Sequence, residues 1–133
     1  MTPIFLDTVG LIALWDKSDQ WHEMAMPVFL RLLATKRRLL TSSYVLLECA
    51  NASSRRPYFT EVCDLRERMA AVQRVLEPSE GEIEQSWDNY RNSYIGGPGV
   101  VDFVSFALMQ RFGIRQAFTN DKHFAAAGFE VLF

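Results

Sequence analysis

Four acidic residues occupy positions where carboxylates are unusual and could carry chemistry. Asp7 and Asp121 each follow a short apolar run of strand type. Asp102 comes at a helix start after a glycine-rich loop, and Glu48 lies in an apolar stretch of another helix. Carboxylates that converge on one site repel one another unless a cation neutralises them. Because oxygen-only ligands favour hard divalent cations, the sequence predicts a site for Mg²⁺ or Mn²⁺ rather than zinc.

Taken singly, these acids also have structural explanations. Asp7 and Asp102 suit helix N-caps or first-turn positions, where the helix dipole favours an acid. Asp121 suits a turn. Glu48 is the hardest to explain structurally, because a buried Glu is rarely unpaired, and Asn51 lies one helical turn from it. The metal-site interpretation therefore depends on all four acids meeting at one place.

Other catalytic arrangements find little support. The glycine cluster at residues 96–99 lacks the Lys-Ser/Thr of a phosphate-binding loop, and no GxSxG motif or plausible Cys-His pairing is present. We expect His22 on a helix surface and His123 in a structural or rim position, neither with a metal-binding partner at useful spacing. Cys49 and Cys63 are expected to be buried free thiols, because free cysteine packs like a small hydrophobic residue.

The elements that position the acids follow from hydrophobic periodicity. The predicted strands are residues 3–6, 39–41, 116–119 and 129–133, and the predicted helices include 9–15, 20–38, a helix from 44, 60–76, 80–94 and 103–113. Strands that alternate with helices indicate an α/β fold with a parallel sheet covered on both faces. Sites in such sheets lie at the carboxyl ends of the strands, at a topological switch point.

Three local features refine these elements. Pro27 predicts a kink or a late start of its helix. Thr60 is a candidate N-cap for the 60–76 helix, although residues 74–77 also suit a short edge strand. Ser79 and Glu82 match a capping box, which places a helix start directly after Ser79.

The bulk properties limit the class of protein. A chain of 133 residues with 49% hydrophobic and 23% charged residues suits one globular domain. The net charge of −2 argues against a protein that simply grips phosphates, but does not exclude a nucleic-acid substrate. No signal peptide and no apolar run long enough to span a membrane are evident, so a cytoplasmic location is expected.

The motifs resemble those of the PIN-domain ribonucleases, and among them the VapC-type toxins of toxin–antitoxin modules. The resemblance covers nearly the whole chain, as a single PIN domain over residues 1–133. Its motifs are Asp7-Thr8 after the first strand, residues 41–48 with Asn51, residues 102–109, and residues 117–124 followed by Gly128-Phe129.

This resemblance implies a three-layer α/β/α fold with a central parallel sheet of about four or five strands. It implies that the four acids form the family's acidic quartet, and that Thr8 and Thr119 supply hydroxyls near the site. The implied activity is metal-dependent endonucleolytic cleavage of RNA by a homodimer that a cognate antitoxin protein inhibits. One departure is Val101, which stands where family members commonly carry Ser or Thr before the third acid.

Asp7, Glu48 and Asp102 would be the principal ligands, and Asp121 a ligand or a group that orients water. The candidate RNA contacts are the basic residues Lys36, Arg37, Arg38, Arg55 and Arg56, although solvated charge at helix ends explains them equally well. Three alternatives stay open: a catalytically inactive PIN-like module that binds protein or RNA, a phosphotransfer or receiver-type protein, and a structure-specific DNA nuclease. Val9 occupies the place where a phosphatase needs its second Asp, and the chain is short for DNA-gripping elements.

Overall fold

The structure, a computed structural model that describes residues 2–133, is built on one parallel sheet of five strands. The strands are β1 Ile4–Leu6, β2 Leu39–Ser42, β3 Val75–Leu76, β4 Gln116–Phe118 and β5 Glu130–Val131. The helices are α1 Thr8–Trp15, α2 His22–Ala34, α3 Ser43–Ser53, α4 Phe59–Ala71, α5 Glu80–Arg91, α6 Val100–Arg111 and α7 Lys122–Ala126. The predicted three-layer α/β/α architecture is confirmed.

The order of the strands places a switch point beside β1. Across the sheet the order is β3-β2-β1-β4-β5, and all four neighbouring pairs are parallel. The chain moves outward from β1 to β3 and then returns to β4 on the other side of β1. The connections that follow β1 and β4 therefore leave the carboxyl ends of these strands in different directions, and a crevice is left at that edge.

The central strand is the most deeply buried part of the sheet. Ile4, Phe5 and Leu6 have no exposed surface, because β1 is paired on both sides and covered by helices. A continuous apolar run is typical of such a strand. The first polar residue after this run is Asp7, which β1 therefore delivers to the carboxyl edge of the sheet.

Gly10 lets α1 pass unusually close to β4. A Cβ atom added at this position would lie 2.0 Å from the carbonyl oxygen of Phe118 and 2.7 Å from its ring. No side chain larger than hydrogen fits in that space. The close approach holds the start of α1 against the end of β4, where Asp7 and Thr119 lie.

Aromatic packing fixes α6 against α7. The ring of Phe106 in α6 contacts that of Phe124 in α7 edge-to-face, with centroids 4.9 Å apart, and Phe129 at 5.7 Å. Phe106 lies one turn after Asp102, and Phe124 lies three residues after Asp121. This buried contact therefore sets the distance between the helices that carry the last two acids.

Several predicted boundaries differ from the structure. The second helix begins at His22 and continues through Pro27, so a late start at the proline was wrong. The fourth helix begins at Phe59 without a side-chain cap, so Thr60 is not its N-cap. It ends at Ala71, and the alternative of an edge strand before Pro78 is confirmed as β3.

Other details agree or need correction. The Ser79 capping box is confirmed, with both of its hydrogen bonds present. Cys49 is buried as expected, but Cys63 is exposed, because it lies on the solvent side of α4 between the buried Val62 and the outward-facing Asp64. No helix within residues 2–133 is long and apolar enough to cross a lipid bilayer.

Candidate active site

Asp7 is a buried carboxylate at the switch point. It caps the N-terminus of α1, and its Oδ2 accepts hydrogen bonds from Thr119 Oγ1 at 2.9 Å and from the Val9 N–H at 3.4 Å. Only 2% of the residue is exposed. Burial first, and then the charge of Asp102, raise the pKa of Asp7 to about 7. Both causes disfavour a negative charge at this point.

Asp102 lies at the electrostatic centre of the four acids. Burial first, and then the charges of Asp121 and Glu48, raise its pKa to about 6, against a hydrogen bond from Gly99 that lowers it. That bond joins the Gly99 N–H to Asp102 Oδ2 at 2.9 Å. Since Asp102 also raises the pKa of Asp7, it interacts with each of the other three acids.

Glu48 reaches the site from the solvent side of α3. The sequence pattern suggested an apolar surrounding, but Glu48 and Leu47 are exposed while Cys49 is buried. The Thr8 hydroxyl donates to Glu48 Oε1 at 2.6 Å. Thr8 is the first residue of α1, directly after Asp7, so this bond ties the Glu48 carboxylate to the end of β1.

Asp121 lies at the end of β4 and caps α7. Its backbone N–H donates to Thr119 Oγ1 at 3.1 Å, and its Oδ1 accepts from the His123 N–H at 2.9 Å. Thr119 is buried between the ends of β1 and β4. The two hydroxyls predicted near the site, those of Thr8 and Thr119, thus each contact one of the acids through a side-chain hydrogen bond.

His123 belongs to this cluster, although its spacing in the sequence suggested no metal-binding partner. Its Nδ1 lies 2.9 Å from Asp121 Oδ1. Ligand atoms of Asp102, Asp121 and His123 all lie within 4.8 Å of one another. The spacing of two residues between Asp121 and His123 at a strand-to-helix junction was the signal available in the sequence, but only the fold brings Asp102 beside them.

The remaining predicted residues lie on or after α3, or in the segment before β2. Asn51 is exposed on α3, one turn beyond Glu48. The exposed Arg55 and Arg56 follow the end of α3, about two turns beyond Glu48. The segment from residue 36 to residue 38, containing Lys36, Arg37 and Arg38, precedes β2 and lies at the opposite end of the parallel sheet from the acids. There Arg37 Nη2 donates to the Thr2 carbonyl at 2.6 Å and to Gln116 Oε1 at 2.7 Å.

The donor set fits a hard divalent cation. The charge of Asp102 interacts with those of the other three carboxylates, and burial disfavours the charge of Asp7 and Asp102. Among residues 2–133 no Lys or Arg lies within ion-pair distance of these four acids, and the one basic side chain in contact with them is the imidazole of His123. An Mg²⁺ or Mn²⁺ ion would supply the missing positive charge, and carboxylate oxygens are the ligands that both ions prefer.

Comparison with known proteins gives a consistent family. The sequence profile of the PIN domain matches residues 4–130. The chain is 34% identical over 128 residues to the 23S rRNA-specific endonuclease VapC20 from two strains of Mycobacterium tuberculosis, CDC 1551 / Oshkosh and ATCC 25618 / H37Rv. Each alignment covers 95% of both chains.

The fold comparison agrees with the sequence comparison. The crystal structure of Mycobacterium tuberculosis VapC20, described as a Sarcin-Ricin loop cleaving toxin, matches with a TM-score of 0.74 and 31% sequence identity. That match covers 95% of both chains. The profile, the relatives and the five-stranded parallel sheet with acids at its switch point together establish that this chain belongs to the PIN-domain family.

Proposed function

We propose that this chain is a metal-dependent endoribonuclease and the toxin component of a type II toxin–antitoxin system. The observation that carries the proposal is the convergence of four carboxylates, in which Asp102 interacts with each of the other three. The identity to the 23S rRNA-specific endonuclease VapC20 supports RNA as the substrate. We assign residues 1–133 to a single PIN domain, supported by the profile match over residues 4–130.

Asp7, Glu48 and Asp102 are the proposed principal ligands of Mg²⁺ or Mn²⁺. When bound, the ion supplies an activated water and stabilises the charge that develops on the phosphodiester oxygens. The protein's part is orientation. Thr119 holds Asp7, Thr8 holds Glu48, and the Gly99 N–H holds Asp102, so each of these three carboxylates has a fixed donor.

Asp121 has a different proposed role. Its Oδ1 accepts a hydrogen bond from the backbone N–H of His123 and lies 2.9 Å from the ring Nδ1 of the same residue. The other oxygen is left to bind the ion or to orient the attacking water. The Gly99 contact also replaces the hydroxyl that is missing at Val101, because a backbone N–H there holds Asp102.

The proposed partners are a cognate antitoxin and a second copy of the chain. An apolar groove of about 360 Å³, whose lining includes Leu14, Phe29, Leu33 and Val72, supports a protein partner. The exposed Trp87, Tyr90 and Tyr94 at and beyond α5 offer a further apolar surface, which suits a homodimer contact. A cytoplasmic location is part of the same proposal.

Cleavage assays test the activity. Purified protein without antitoxin should cleave 23S rRNA in Mg²⁺ or Mn²⁺, and EDTA should stop the reaction. Asp7→Asn should remove cleavage while leaving the circular dichroism spectrum unchanged, because Asn keeps the acceptor for Thr119 but loses the charge. Cleavage by Asp7→Asn at the rate of the unmodified protein would refute the assignment.

The alternative is a catalytically inactive PIN-like module that binds protein or RNA. It predicts that no RNA is cut in any divalent cation and that calorimetry detects no Mn²⁺ binding. Calorimetry with the unmodified protein and with Asp7→Asn therefore separates the two functions before any RNA target is known.

A further inference from the structure

His123 connects two segments that are far apart in the chain. Its Nε2 lies 2.9 Å from the carbonyl oxygen of Gly96, 27 positions earlier, and its Nδ1 lies 2.9 Å from Asp121 Oδ1. The side chain is 18% exposed, as is that of Asp121. Nε2 thus forms a hydrogen bond with the Gly96 carbonyl, while Nδ1 lies against the Asp121 carboxylate.

The carbonyl that His123 contacts begins the glycine loop, residues 96–99. Gly96 has a φ of +83°, a conformation that a glycine adopts without strain. At the other end of the loop, the Gly99 N–H donates to Asp102 Oδ2 at 2.9 Å. The glycine loop is therefore held to Asp121 through His123 at one end and to Asp102 at the other.

We propose that His123 is a positioning residue that sets Asp102 relative to Asp121 by fastening the glycine loop. The inference rests on the proposed function, since it assigns a role within the same metal site. Although a ring nitrogen of His123 lies within 4.8 Å of the ligand atoms of the two acids, Nε2 is bound to the Gly96 carbonyl and Nδ1 lies 2.9 Å from Asp121 Oδ1. It therefore acts through the loop rather than as a metal ligand.

Metal binding tests this role separately from cleavage. His123→Ala should weaken Mn²⁺ binding, measured by the electron paramagnetic resonance signal of free Mn²⁺, by about 10–100-fold, the usual effect of losing a group that orients ligands. His123→Gln, which keeps an amide donor for the Gly96 carbonyl, should recover part of the Mn²⁺ affinity.

Two further measurements separate positioning from other roles. Pulsed electron paramagnetic resonance of the Mn²⁺ complex should show no directly bound histidine nitrogen, and a coupling that disappears in His123→Ala would overturn the proposal. In metal-free protein, hydrogen exchange of the Gly99 amide should accelerate at least about tenfold in His123→Ala, because the glycine loop loses its anchor. An unchanged Gly99 exchange rate would also overturn it.

The matched control is the other histidine. His22 Nδ1 contacts the Ala13 carbonyl at 2.8 Å, at the far end of α1 from the acids. His22→Ala should leave the exchange of the Gly99 amide and Mn²⁺ binding unchanged. If the unmodified protein binds Mn²⁺ but cuts no RNA, the proposed function fails, while the binding and exchange measurements still decide the role of His123.

Discussion

Thr119 donates a hydrogen bond of 2.9 Å from its hydroxyl to Oδ2 of Asp7, a residue 112 positions earlier in the chain. The same hydroxyl oxygen accepts the backbone N–H of Asp121 at 3.1 Å. Thr119 follows β4 and Asp7 follows β1, which are neighbours in the sheet. A single buried hydroxyl therefore orients two of the four acids across the switch point.

Replacing that hydroxyl should weaken the site. Thr119→Val is nearly the same size but removes the donor to Asp7, whose pKa that bond lowers. We expect Mn²⁺ affinity and RNA cleavage to fall by about 10–100-fold. Thr119→Ser keeps the hydroxyl and should retain most of both. Calorimetry with Mn²⁺ and initial cleavage rates measure the effect, and full activity in the valine variant would contradict the orienting role.

Asp7→Asn should stabilise the metal-free fold at high pH. Burial raises the pKa of Asp7 from 3.8 to about 7, so the unfolded chain loses this proton at lower pH than the folded chain. The carboxylate therefore costs nothing below pH 3.8, destabilises the fold increasingly up to about pH 7, and does so fully above it. The cost is on the order of a few kcal/mol, because each pKa unit is worth about 1.4 kcal/mol.

Urea unfolding in EDTA at pH 8 and at pH 4 measures this effect. Asn should raise the free energy of unfolding at pH 8 and leave it almost unchanged at pH 4. Excess Mn²⁺ should stabilise the unmodified protein more than the variant, because a bound ligand stabilises only the form that holds it. An equal gain in the free energy of unfolding at both pH values would show that removing the buried charge of Asp7 does not cause the stabilisation.

Gly10→Ala adds only one methyl group but should destabilise the protein strongly. The added methyl group would lie 2.0 Å from the Phe118 carbonyl oxygen, which is backbone and cannot move without shifting β4. We expect a loss of about 1–3 kcal/mol or more, the cost of overpacking a tight contact. Thermal and urea unfolding measure it.

A second glycine provides the control. Gly81 lies in the first turn of α5, where an added Cβ would meet only Ser79 Oγ at 3.9 Å. Gly81→Ala should therefore be neutral or stabilise the protein by about 0.5–1 kcal/mol through helix propensity. If Gly10→Ala and Gly81→Ala change the free energy of unfolding equally, the close contact of α1 with β4 is not what restricts residue 10 to glycine.

The basic residues should separate into two classes. Arg37→Ala removes hydrogen bonds to Thr2 and Gln116 and should lower the free energy of unfolding by about 1–2 kcal/mol. Arg55→Ala and Arg56→Ala should instead weaken RNA binding. If each arginine neutralises one phosphate, each variant should reduce the slope of log affinity against log salt concentration by about one. Binding is measured in the Asp7→Asn background, where cleavage does not interfere.

The measurement also has a clear negative result. If neither Arg55 nor Arg56 changes the salt dependence of RNA binding, the proposed contacts at the end of α3 are wrong. A loss of RNA affinity in Arg37→Ala without a change in stability would indicate that RNA binds at the opposite end of the sheet from the acids.

Most helices and strands could be predicted from the sequence, because their signals depend on residues that are close together in the chain. The apolar run before Asp7 and the Ser79–Glu82 capping box depend on neighbouring residues alone, and both gave the observed structure. The start of α4 was missed because no side chain caps it. Of the two outcomes predicted at Pro27, the late helix start was wrong, because α2 continues through the proline despite the absent backbone donor.

The sequence by itself determined the class of fold and singled out the four acids as candidates, because chemical type and periodicity are properties of short stretches of chain. Only the tertiary structure decided how those acids are held. Thr119 reaches Asp7, Thr8 reaches Glu48, and His123 reaches Gly96, each across 27 or more positions. Such contacts depend on the strand order and the close packing of α1 on β4, which no local pattern contains.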